Sequence, residues 1–115
     1  MKYLIYLFSS IAFFISWSQN SCQEGQEYYN TENYTKAIEV LKNCLITEAN
    51  NEEARFTLGK AYAKQEDWEK AAATYKILVE THPKNADYNF YYGGSLGLYA
   101  KKHQPFKVCR IYQRH

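Results

Sequence analysis

The sequence predicts an all-α fold, a stack of about two and a half helical hairpins behind an N-terminal signal helix. Three observations predict it. Gly25, Gly59 and Gly93 are spaced 34 residues apart, and the residues around them repeat at the same interval. Within each unit, apolar residues recur at three- and four-residue spacings, the period of an amphipathic helix. Polar breaks at Asn33, Asn50–Asn51, Asp67 and Pro83 divide the chain at regular points. Such a period marks units that bury their apolar faces only by stacking on one another.

Residues 1–18 come first. Met1-Lys2 gives a short positive start, and residues 3–17 carry no charge. Ser16-Trp17-Ser18 sets small residues at the spacing a signal peptidase prefers, so 1–18 is read as a cleaved secretory signal peptide. The apolar run is shorter than the ~20 residues of a membrane span. An uncleaved membrane anchor is the alternative. The expected location is periplasmic or extracellular, with membrane contact only transient through the signal segment. A lipoprotein site at Cys22 does not fit the polar Gln19-Asn20-Ser21 before it.

Residues 19–51 form the first repeat and 52–85 the second. Tyr28 falls on Tyr62, Asn33 on Asp67, Tyr34 on Trp68, Ala37 on Ala71 and Leu45 on Val79. In the second unit, 53–65 predicts a helix with Phe56, Leu58, Gly59, Tyr62 and Ala63 on one face. Gln65-Glu66 makes a turn, and Asp67 caps the next helix by taking its unpaired N–H groups. That helix, 68–81, buries Trp68, Ala71, Ala72, Tyr75, Leu78 and Val79, and Pro83 closes it. Gly59 is expected to face Ala71 where the two helices approach closely. A glycine inside a helix costs about 0.5–1 kcal/mol against alanine, so three in one register imply a packing reason. Residues 86–101 read as the first helix of a third repeat, with Phe90, Tyr92 and Leu96 in register.

The pattern Leu58-Gly59, Tyr62, Ala71, Tyr75, Leu78, Pro83 resembles the tetratricopeptide repeat, as found in exported bacterial-type proteins. The second unit departs from the family at Arg55, where a large apolar residue is usual. The first has Glu24 before its glycine and Ala49 in place of the proline. The resemblance covers roughly residues 18–100 and implies a right-handed α-solenoid. It also implies that the first helix of each hairpin lines a concave groove. The groove would then hold Gln19, Cys22, Gln26, Tyr29 and Asn30, then Glu53, Phe56, Lys60 and Lys64, then Asp87, Phe90 and Gly94. The packing positions of the repeat are Gly25, Tyr28, Ala37, Leu58, Gly59, Tyr62, Ala71, Tyr75, Pro83 and Gly93. The Lys, Asn and Arg set that clamps a carboxylate pair in chaperone-binding members is not reproduced.

Charge excludes some functions. Without Lys2 the chain carries 13 basic and 12 acidic residues, which gives no electrostatic case for nucleic acid. His82, His103 and His115 have no metal-ligand spacing with the cysteines or each other. No nucleophile–base arrangement is present, and no enzyme activity or cofactor is expected. Glu52-Glu53 and Glu66-Asp67 flank helix starts, where negative charge suits the dipole. Gly93-Gly94-Ser95-Leu96-Gly97 has no strand or lysine motif to make it a phosphate loop. Tyr29, Tyr88 and Tyr91 read as surface aromatics suited to binding.

Cys22 aligns with Phe56, and Cys44 with Leu78. Two readings stay open: two small buried hydrophobes, or a disulfide across the first hairpin. Cys109 is left over. Residues 102–115 form a basic tail or a short helix beginning at Pro105. With no polar capping helix, the chain reads as incomplete or as self-associating through the third repeat. Function narrows to an exported interaction module or scaffold that holds a protein or peptide partner. The alternative is the N-terminal fragment of a larger exported protein whose activity lies beyond residue 115.

Overall fold

The computed structural model describes residues 21–103, which form five α-helices and no strands. They are α1 (Ser21–Asn30), α2 (Tyr34–Thr47), α3 (Glu52–Lys64), α4 (Trp68–Thr81) and α5 (Ala86–His103). The expected leader, 1–18, and the tail from 104 onward lie outside the described residues, as do Gln19, Cys109 and Pro105. Among the described residues no helix is long and apolar enough to cross a membrane.

Local chemistry repeats with the sequence. Asn33 and Asp67 cap α2 and α4, their side chains accepting from the backbone N–H of Lys36 and Lys70 at 3.4 and 3.3 Å. Asn51 and Asn85, also 34 apart, accept from the N–H of Ala54 and Tyr88 at 3.0 and 3.1 Å. Each cap satisfies a donor that the first helical turn leaves unpaired. The helix expected at 53–65 therefore begins one residue earlier, behind Asn51. Glu32 and Glu66 close α1 and α3 in the left-handed region, with φ of 63° and 59°. Helix α5 runs two residues beyond the expected 101.

Each helix packs on the next, and α1 also reaches α3. The core falls into two clusters. Ala37, Leu41, Cys44, Ala54 and Leu58 are buried in the first, with Cys22, Tyr28, Ile38 and Leu45 packed against them. Ala71, Tyr75, Leu78 and Tyr88 are buried in the second, with Phe56, Ala63, Val79 and Tyr92 against them. Tyr62 touches both clusters and so joins the hairpins. The buried Thr57 hydroxyl donates to Gln26 Oε1 at 2.7 Å and ties α3 to α1.

The register glycines admit different neighbours. A Cβ on Gly59 would overlap the Tyr75 ring, and one on Gly25 would come within 2.6 Å of Leu41 Cγ. The glycine admits the residue 16 positions later, an aromatic ring in one hairpin and a leucine in the other. At Gly93 a Cβ meets nothing within 4 Å, because no helix among the described residues crosses it there. Its close-packing role is therefore not seen among the described residues. Tyr88, expected at the surface, is 8% exposed: its ring lies 5.1 Å from Phe56, and its hydroxyl donates to Glu52 Oε1.

Candidate functional site

The helices that begin each hairpin, α1, α3 and α5, bring one aromatic group together. Lys60 Nζ of α3 sits 5.1 Å over the Tyr29 ring of α1 and 4.7 Å over Phe56, one turn away on its own helix. Both are cation–π distances. Phe56 in turn lies 5.2 Å edge-on to Tyr91 of α5, and Tyr91 lies 5.6 Å from Tyr75 of α4. Lys60 is partly buried by these rings, so its methylene stem and ammonium extend an apolar platform.

Tyr75 gives the platform its polar point. Its side chain is fully buried, and the absent Cβ of Gly59 lets the ring cross the hairpin. Its hydroxyl has no hydrogen-bond partner among the described residues. Burial pushes the phenol well above its usual range, and the neighbouring phenols of Tyr91 and Tyr29 push it the same way. Tyr29 is raised too, first by burial and then by Tyr34 and Tyr91. The Tyr29 ring lies under the Lys60 ammonium, and the Tyr91 ring links Phe56 to Tyr75. A buried donor without a partner is rare in folded proteins.

Of the residues expected in the groove, the structure brings Tyr29, Phe56 and Lys60 together. Phe90 is 75% exposed and joins only through Tyr91, 5.6 Å away. Asn30 accepts from Gln26 Nε2 at 3.1 Å, Lys64 is exposed, and Glu53 lines a separate small cavity with Cys22, Gln26 and Asn51. Sequence reasoning placed Tyr75 in the hairpin interior and missed its hydroxyl. The signal available was the constant 16-residue step from glycine to partner.

A second group lies where α3, α4 and α5 meet. His82, which caps the end of α4, is 3.2 Å from Glu52 Oε2 and receives or gives a hydrogen bond at Thr81 Oγ1, 2.9 Å away. Tyr88 is pushed up to about 12, first by burial and then by its hydrogen bond to Glu52. Its residues cap and join helices, and the Thr81 hydroxyl is engaged by the Ile77 carbonyl one turn back. In the first hairpin Cys22 and Cys44 are paired, with Cα atoms 5.0 Å apart. Glu48, the position equivalent to His82, sets its carboxylate 3.1 Å from Cys22 Sγ.

The paired hairpins, their caps and their recurring glycine contacts are those of one repeat family, and a tetratricopeptide repeat family model matches residues 30–89. The chain belongs to the tetratricopeptide repeat family. It is similar to the tetratricopeptide repeat protein 30 homolog of Drosophila pseudoobscura pseudoobscura, 40% identical over 72 residues. That match covers 59% of this chain and 11% of the relative, so the chain spans a small part of that protein's length. Tetratricopeptide repeats generally mediate protein–protein interactions and are typically non-catalytic.

Proposed function

We propose that this chain is an exported scaffold that holds a peptide or helix of a protein partner against α1, α3 and α5. The observation that carries the reading is the Tyr29–Lys60–Phe56–Tyr91 platform, which joins α1, α3 and α5. Rigid aromatics with one cation favour a segment offering an apolar side chain beside a carboxylate. Export rests on the charge-free run of residues 3–17 and the small residues before 19.

The test is selection of binding peptides from a random library on the purified chain, followed by affinity measurement on Lys60→Ala and Phe56→Ala. Selected peptides are expected to bind roughly tenfold or more weakly to each variant, the loss of about 1.4 kcal/mol or more usual at an anchor. Peptides that bind both variants as well as the parent place the binding surface elsewhere. Export is tested separately, by N-terminal sequencing of the secreted chain, with Gln19 expected as its first residue.

A further inference from the structure

The first hairpin carries a group that the binding reading does not use. Cys22, second residue of α1, and Cys44, on the last turn of α2, meet across the hairpin. Glu48, four residues beyond Cys44, brings its carboxylate to the same place, and the three ligand atoms lie within 4.8 Å of one another. Asn51 Nδ2 donates to Glu48 Oε2 at 2.9 Å and fixes the direction in which the carboxylate points. Glu48 makes no ion pair among the described residues. The surroundings are graded: Cys44 is fully buried, Cys22 is partly buried, and Glu48 is exposed. Beside Cys22 opens a cavity of about 190 Å³ lined by Gln23, Gln26, Asn51 and Glu53.

While the sulfurs are bonded to each other, Cys22 has no proton to give, and the carboxylate beside it gains nothing from the contact. Once the bond is reduced, two soft sulfur ligands and one oxygen lie at a single spot, and Glu48 makes no ion pair among the described residues. We infer that Cys22, Cys44 and Glu48 form a two-state centre: a disulfide when oxidised, and a site for a thiophilic divalent cation such as Zn²⁺ when reduced. A dithiol reductant breaks the S–S bond, supplies two electrons and two protons, and leaves as its own disulfide. The cation then displaces both thiol protons to solvent and is held by two thiolates and the carboxylate. A water from the adjacent cavity completes four-fold coordination.

Two sulfurs on one zinc sit about 3.8 Å apart at the usual ~2.3 Å bond length and tetrahedral angle. Cys22 lies in the first turn of α1, and its Cα is 5.0 Å from that of Cys44, so side-chain rotation would have to supply that separation. The oriented Glu48 follows the pattern in which an outer hydrogen bond sets a ligand's direction. In both states the link between α1 and α2 persists, so the hairpin keeps its staple on passing between oxidising and reducing surroundings.

The test is titration of the reduced full-length chain with Co²⁺ under anaerobic conditions, read by absorption and followed by displacement with Zn²⁺. One cobalt per chain is expected, with sulfur-to-metal charge-transfer bands and the visible bands of tetrahedral cobalt. The oxidised chain should show neither. The signal should vanish in Cys22→Ser and in Cys44→Ala and survive in Cys109→Ser, since Cys109 is outside the group. Glu48→Gln, an exposed change that leaves the fold intact, should weaken binding roughly tenfold or more. Circular dichroism of the reduced, metal-free chain shows whether it stays helical without metal. A helical reduced chain without these bands overturns the inference, as does a signal that depends on Cys109 or is unchanged in Glu48→Gln.

Discussion

The two hairpins share one backbone plan and hold themselves together differently. Where the second packs Phe56 and Leu78 into an aromatic and aliphatic core, the first has Cys22 and Cys44 at the same positions and joins them covalently. Where the second passes Tyr75 over Gly59, the first passes Leu41 over Gly25. The residue that ends the second helix is His82 in one, facing Glu52, and Glu48 in the other, facing Cys22. The repeat therefore dictates the sites of contact, and each hairpin fills them with its own chemistry. A phenol crossing the second hairpin brings a hydroxyl where the leucine of the first brings none.

The largest effect that separates the hairpins is expected at Tyr75. Tyr75→Ala removes a fully buried ring from the second cluster and should cost about 3–5 kcal/mol. Tyr75→Phe removes only a hydroxyl without a partner among the described residues, so its cost should stay below about 1 kcal/mol. Both are read by chemical denaturation monitored at the helical circular dichroism band. A Tyr75→Phe loss as large as that of the alanine variant would mean that the hydroxyl is satisfied inside the fold.

This pair shows what the sequence discloses and what it withholds. The hairpins, the caps at Asn33 and Asp67 and the stop at Pro83 are local chemistry repeated in register, so the chain reads directly into them. The Gly59–Tyr75 contact depends on which residues face each other across two helices. Register identifies equivalent positions but not partners, and so the expectation at Ala71 did not disclose Tyr75 as the nearest neighbour of Gly59. Tyr88 misled for a related reason: its hydroxyl finds Glu52, 36 residues away, and the ring follows it into the core. Cys22, Cys44 and Glu48 converge through the hairpin rather than through any spacing that marks a ligand set.

The first hairpin should depend on its covalent link. Reduction closes no other contact but frees a loop with a sequence separation of 22, which should lower stability by about 3 kcal/mol in metal-free buffer. The double change Cys22→Phe and Cys44→Leu gives this hairpin the side chains of its neighbour. It should recover part of the loss and make stability insensitive to reductant. Denaturation curves with and without dithiol measure both. A parent chain whose midpoint does not move on reduction would mean that the apolar contacts of Leu41 and Ala37 already suffice.

The register glycines should give opposite signs. Gly59→Ala forces a methyl into the Tyr75 ring, and overpacking of this kind costs about 1–3 kcal/mol. Gly93→Ala meets open space inside α5 and should stabilise by about 0.5–1 kcal/mol through helix propensity alone. Thermal melts of the two variants suffice. A destabilised Gly93→Ala would reveal a segment packed against α5 at that point, and would restore to Gly93 the close-packing role of Gly59.

The smallest difference concerns the joint between α3 and α5, which has Tyr88 where the preceding hairpin has Ala54. Tyr88→Phe removes a hydrogen bond whose acceptor, Glu52, is partly exposed and can rehydrate. The loss at neutral pH should be about 0.5–1.5 kcal/mol. Alkali tests the same bond with a definite sign. The phenol ionises at about 12 in the folded chain against a reference of 10.0, so between those values the folded state holds a proton that the unfolded state releases. Its contribution is complete below pH 10 and disappears as pH rises through about 12. Tyr75 acts in the same direction and leaves a residual slope in any Tyr88 variant. Stability of the parent chain should therefore fall from pH 10 upward, and that of Tyr88→Phe should fall less steeply. Equal slopes would show that Tyr88 ionises alike in both states, and that the hydrogen bond to Glu52 does not hold in solution.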